Sequence, residues 1–264
     1  MIVAVADWVA QWPNILIVLV CTGLLLLLLP VAYRLGRLLP GDPEVRATAA
    51  LDTFKVLGPL AGVFLSFSLV QAIGQFRVAD ANVSREAANI YQLDRAMAGI
   101  ASLADTRPAR LALRDYLRAL LNEEWPGLRR GGGDAPQTSL ALARLQGEVE
   151  ELVATFPADV RMSNDIDRAM DDVQEDRAAR LAIAHGGLPA VMWWVLACLF
   201  GLLFACAAFL QGANERHPLP VLYVAGLGLL ASLLFIMDRP FQGDLSVSPA
   251  PLVKVQAQLE ARMR

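Results

Sequence analysis

Histidine and cysteine are scarce: two and three residues, respectively, in a chain of 264. His185 and His217 stand beside glycine or proline, away from any set of ligands at metal-binding spacing, so no metal is expected. Cys21, Cys198 and Cys206 lie inside apolar runs and form no CxxC pair, which reads as small packing residues. The chain has no GxxxxGK[ST], no GxSxG and no HExxH, so neither a phosphate cradle nor these hydrolytic sites are encoded. Gly131, Gly132 and Gly133 follow charged residues rather than a strand. Enzyme function has no positive support, and no cofactor is expected. A basic surplus is also missing: 23 Lys and Arg against 26 Asp and Glu, a formal net charge of −3, argue against a nucleic-acid partner.

Apolar residues are abundant instead. They make up 56% of the chain against 19% charged, with mean hydropathy +0.45, too apolar for a soluble domain and too charged for membrane helices alone. The mixture separates along the sequence. Four segments are long enough to cross a bilayer, which takes about 20 helical residues. They are Asn14 to Tyr33, Val56 to about Phe76, Pro189 to Leu210, and Pro220 to Met237. Trp193, Trp194 and Tyr223 near their ends fit an interfacial belt. The first span has no basic residue before it and no small-residue cleavage site, so it is expected to be an uncleaved anchor.

Between spans two and three lie 112 residues with 14 Arg, no Lys and 18 acids. Val83, Ala87, Ile90, Leu93, Met97 and Ile100 recur at helical spacing, as do Leu113, Leu117, Leu120 and Leu121. Trp125-Pro126 and the three glycines are expected to break the chain. Two further helices are expected, from Ser139 to Phe156 and from about Ala158 to Ala184. Strand-like alternation is absent. The expected fold is an all-α integral membrane protein, with four transmembrane helices and a helical extramembrane domain inserted between spans 2 and 3. Its parts are residues 1–76, a membrane helix pair; 77–188, the insert; 189–238, a second pair; and 239–264, a tail. The place expected for it is the inner (plasma) membrane, as a multi-pass protein in contact with the lipid bilayer. Arg34 and Arg37 after the first span tip the near-even charge count towards short loops inside.

The second span carries polar groups that hydrocarbon does not solvate. At 100° per residue Ser68, Gln71 and Gln75 share a face, and Asn82, Glu86 and Asn89 continue the line if the helix is unbroken. Gly58, Gly62 and Ser66 form a small-residue face nearly opposite, suited to a close helix neighbour. Two readings stay open for the amide stripe. It is interhelical glue, or it lines water in a pore made by several copies about an axis. In the pore reading Phe64 and Phe76 are candidate narrow points, inorganic ions are the permeant species, and Glu86 biases one end towards cations. Asp238, Arg239, Pro240 and Phe241 read as a helix stop, with a gating or subunit-contact role as the alternative. The acidic run from Asp165 to Asp176 reads as a solvated helix face. Glu123 and Glu124 face apart on a helix, and Trp125 is expected to pack the core of the insert or to cap it against a neighbouring subunit.

SREAANIYQLDRAM (84–97), LRDYLRALLNEEWPGL (113–128), RAARLAIAHGGLPAVMWW (177–194) and FIMDRPFQGDLSVSPAPL (235–252), in that order, resemble the bacterial bestrophin-like membrane proteins. The resemblance runs from about Leu51 onward. It implies a homo-oligomeric channel with Ser66 to Phe76 nearest the conduction path, and both termini in the cytosol. Bestrophins proper are anion channels with an apolar neck on the second helix; here serine and glutamine are expected to stand in its place. An oligomeric ion channel is therefore the leading expectation. A non-conducting membrane scaffold or signalling protein, whose insert binds a partner, is the alternative.

Overall fold

A computed structural model describes residues 8–9, 12–38, 40, 42–102, 104–133, 135–155, 160–210 and 219–262. Arg216, His217 and the expected helix ends at Phe156 and Ala158 lie outside these residues. The described chain is helical: α1 (Asn14–Gly36), α2 (Pro43–Gly99), α3 (Arg107–Ala119), α4 (Trp125–Arg129), α5 (Pro136–Ala154), α6 (Val160–His185), α7 (Ala190–Phe209), α8 (Leu219–Met237) and α9 (Ala250–Arg262). No strand occurs among the described residues. Four helical stretches are long and apolar enough to cross a membrane.

α2 organises the fold. Asp42 caps it by accepting the Glu44 N–H at 2.9 Å, and Pro43 sits in its first turn, where a missing N–H costs nothing. It then runs unbroken for 57 residues, about 85 Å at 1.5 Å per residue. The expected boundary between residues 76 and 77 therefore crosses a continuous helix. Its first half packs against α7 and α8 around Ala61, Leu65, Ala72, Leu196, Leu203 and Leu234. Its second half packs with α3, α5, α6 and α9 around Val83, Ile90, Leu93, Leu113, Tyr116, Leu145, Val173 and Leu252. α1 lies on α7 and α8 through Leu29, Ala207 and Val224. Gly36 touches the Ala208 carbonyl oxygen so closely that no Cβ fits there.

Trp125-Pro126 does not break the chain as expected. Leu120 to Glu124 form a single π-turn, in which the Trp125 N–H reaches the Leu120 carbonyl, and the helix goes on to Arg129. The proline ring would strike the carbonyl four residues back in a regular α-turn; the wider turn makes room for it. The break comes at Gly131, whose φ of 78° suits glycine. The π-turn also sends Glu124 and Trp125 into the core, while Glu123 stays exposed.

Candidate functional site: the outward edge of α2

The half of α2 that faces away from the chain is apolar at its centre. Val56, Leu60, Val63, Phe67, Val70 and Val78 are all exposed, Phe67 at 71%. The amide stripe lies along one shoulder of this face. Gln71 is exposed and Gln75 is half-buried. Neither finds a hydrogen-bond partner among the described residues. Both line an open cleft of about 700 Å³ with Gly74, Val78, Ala182, Ile183, Gly186, Gly187 and Pro240. Phe64 is half-buried against the core of the apolar half.

The other expected lining residues are enclosed by their own chain. Ser68 is fully buried, and its hydroxyl donates to the Phe64 carbonyl at 2.9 Å, the usual intrahelical refuge of a serine in an apolar helix. Phe76 turns to the opposite side and packs against the core of the polar half. Asn82 donates to the Asp176 carbonyl at 3.0 Å, and Asn89 to the Asp176 carboxylate at 2.7 Å. Arg85 pairs with that carboxylate at 2.6 Å. Asp176, expected on a solvated face, is thus withdrawn from solvent.

Glu86 departs furthest from expectation. Instead of biasing a pore, it is wholly buried with Arg180. Arg180 Nε donates to Glu86 Oε2 at 2.7 Å and Nη2 to Oε1 at 3.1 Å, while Nη2 also lies 2.7 Å from Glu124 Oε1. Arg177 closes the other side of Glu124 at 2.6 Å and donates to Ser139 at 3.0 Å. Burial pushes the Arg180 guanidinium down, yet the Glu86 charge and hydrogen bond, with Tyr116 and Glu124, carry it above the ordinary arginine value. Burial, then the Glu86 charge, holds the Tyr116 hydroxyl well above its usual range. It stays protonated and donates to Glu86 Oε1 at 3.4 Å. Trp125 lies beside this network, 5.9 Å from the Arg180 guanidinium carbon and 5.8 Å from the ring of Phe241. A second enclosed acid, Asp94, ties α3 and α9 to α2 through Arg110 at 2.8 Å and Arg262 at 3.0 Å.

The residues expected at an interface or gate also make contacts within the chain. Gly58 takes the Tyr223 ring of α8 at 3.0 Å from where its Cβ would lie, and Gly62 meets the same hydroxyl at 3.7 Å. Ser66 is exposed and donates to its own helix at Gly62. Asp238 accepts the Leu188 N–H at 2.6 Å. Arg239 lies over Phe235, Pro240 accepts from the Val247 N–H, and Phe241 is buried against Trp125. No cluster of three or more metal-ligating side chains occurs among the described residues.

Sequence reasoning assigned no role to Arg177, Arg180, Tyr116 or Asp94. A signal existed on α6: Ile166, Met170 and Val173 lead at three- and four-residue spacing directly to Arg177 and Arg180, so both arginines occupy core register.

Residues 22–252 match the family described as the Bestrophin-like domain. Among solved structures, a variant of a bacterial bestrophin homologue from Klebsiella pneumoniae is 13% identical, with TM-score 0.65 over 93% of this chain and 98% of that one. A second structure of a Klebsiella pneumoniae homologue is 13% identical, with TM-score 0.63 over 94% and 97%. A structure described as a membrane protein is 14% identical, with TM-score 0.65 over 94% and 97%. No curated protein matches the chain. The structural likeness is one of fold, and the profile match spans most of the sequence. The chain belongs to the bestrophin-like family.

Proposed function

We propose that this protein is the subunit of a homo-oligomeric ion channel of the inner membrane, crossing it four times, with α2 along the conduction path and residues 77–188 outside the bilayer. The observation that carries this reading is the state of Gln71 and Gln75. They stand on the outward edge of a helix otherwise fit for hydrocarbon, without partners in their own chain among the described residues. An unpaired amide in lipid costs several kcal/mol by the usual order of magnitude, about 2–7, so water or another copy must meet it. A ring of α2 helices supplies both. The proposed lining is Phe64, Gln71 and Gln75 with the apolar row Val63, Phe67, Val70 and Val78, an arrangement closer to an apolar neck than the sequence suggests. With Glu86 sealed and Arg85 paired with Asp176, the exposed charges on α2 beyond this stretch include Arg77, Asp80 and Arg95, a small basic excess that favours anions.

Flux of monovalent ions into liposomes holding only the purified protein tests this reading. Gln71→Leu is expected to change conductance or selectivity and leave assembly intact. Ser68→Ala, at an enclosed position, is expected to leave both unchanged. Absence of flux at every voltage and pH would overturn the channel in favour of the scaffold.

A further inference from the structure

We propose that the groove among α2, the end of α7 and the start of α8 holds an anionic phospholipid of the surrounding bilayer, with its phosphate on Lys55 and an acyl chain against Phe54, Leu222 and Tyr223. This site rests on the membrane crossings of the reading above and not on conduction.

Three elements reach one boundary here. Lys55 is the last charged residue of α2 before its apolar stretch, Leu210 directly follows α7, and Pro220 lies in the first turn of α8. With Leu51, Phe54, Leu222 and Tyr223 they line an open groove of about 400 Å³, within the roughly 300–1,000 Å³ of small-molecule sites. Two of its walls are aromatic. Phe54 and Tyr223 meet edge to face at 5.2 Å, and the Tyr223 ring lies on α2, 3.0 Å from where a Cβ of Gly58 would be. Leu222 is 68% exposed beside them.

Only two of the lining side chains are polar, and both can donate: the Lys55 ammonium and the Tyr223 hydroxyl. The hydroxyl finds no hydrogen-bond partner among the described residues. Lys55 pairs with Asp52 at 2.9 Å, but the two side chains are 64% and 68% exposed, and a pair that open holds its partners weakly. A phosphodiester accepts from both donors, while a chain covers the apolar wall. A soluble anion would leave that wall wet. An apolar helix of a second copy would leave both donors unmet, and a zwitterionic lipid would bring its own cation to Lys55. An anionic phospholipid supplies charge and chain together, at the depth where Lys55 meets the apolar stretch.

Native mass spectrometry of the full-length protein, released from micelles containing equal amounts of phosphatidylglycerol and phosphatidylcholine, counts lipids and subunits in one spectrum. Wild type is expected to retain phosphatidylglycerol ahead of phosphatidylcholine. Lys55→Gln should weaken that retention about fivefold, the weight of one basic side chain at an anionic surface, and Lys55→Arg should restore it. Asp52→Asn removes the competing carboxylate and should strengthen it. Leu51→Trp fills the groove, keeps Lys55 and should release the lipid. Equal retention of the two lipids, or retention indifferent to Lys55→Gln, overturns the proposal. So does displacement by glycerol 3-phosphate, which carries the charge without a chain. If Leu51→Trp changes the number of subunits and not the lipid count, the groove belongs to a second copy and the proposal fails. Flux into liposomes is read separately: retention without flux refutes the channel alone, and flux without retention refutes the lipid site alone.

Discussion

Replacing Arg180 with methionine is the sharpest perturbation of the fold. Arg180 is wholly enclosed and makes three short contacts, two to Glu86 and one to Glu124. Glu124 keeps Arg177 at 2.6 Å when Arg180 is lost. Glu86 keeps only the Tyr116 hydroxyl at 3.4 Å, a weak contact for a buried charge. The loss is therefore dominated by one stranded carboxylate, and a broken buried pair typically costs about 3–5 kcal/mol. Neutralising the stranded group should recover much of it: Glu86→Gln with Arg180→Met is expected to lie about 2 kcal/mol above the single Arg180 variant. Reversible denaturation in detergent micelles, followed through the fluorescence of the nearby Trp125, measures both. A single-variant loss below about 1 kcal/mol would refute the reasoning, because it would mean that water reaches Glu86 and the enclosure is not real. So would strict additivity of the two substitutions, since it would remove the coupling that short contacts demand.

Phe241→Ala should destabilise by about 3–5 kcal/mol, since the ring is buried against Trp125 at 5.8 Å; the same denaturation assay checks it. Gly36→Val forces a side chain into the Ala208 backbone, for a loss of about 1–3 kcal/mol, read as a lowered unfolding midpoint. The folded Asp238 carboxyl sits above its ordinary value, so the native state binds the extra proton between the two, and wild-type stability should fall as pH rises through that window. Asp238→Asn should flatten that slope in unfolding midpoints taken across the same pH range.

Much of the fold was legible because it follows from length and period. Asn14 to Tyr33 and Pro220 to Met237 carry no charge to interrupt them, and each is one helix in the structure. Trp125 is in the core where its position in the insert placed it. The misreading at Pro126 has a definite cause. A proline signals a break only if the turn before it is a regular α-turn, and a π-turn is a choice of backbone hydrogen bond that no residue type announces.

Glu86 shows why the site was harder to read than the fold. A polar residue on a helical wheel was assigned to the polar line of Ser68, Gln71 and Gln75, yet the same angle places it between Val83 and Ile90, three and four residues away, on the buried face. Position alone could not separate the two assignments. The partner decides, and the partner, Arg180, lies 94 positions along the chain on α6. A carboxylate tolerates full enclosure only when a guanidinium and other donors meet its oxygens. Arg180 satisfies both oxygens of Glu86 and reaches Glu124 as well. The same pair joins α2 to α6, the helix that ends at the Gly186–Gly187 junction beside Gln71 and Gln75. A charge that the sequence offers to a pore is used instead to tie α2 to the helix packed next to it.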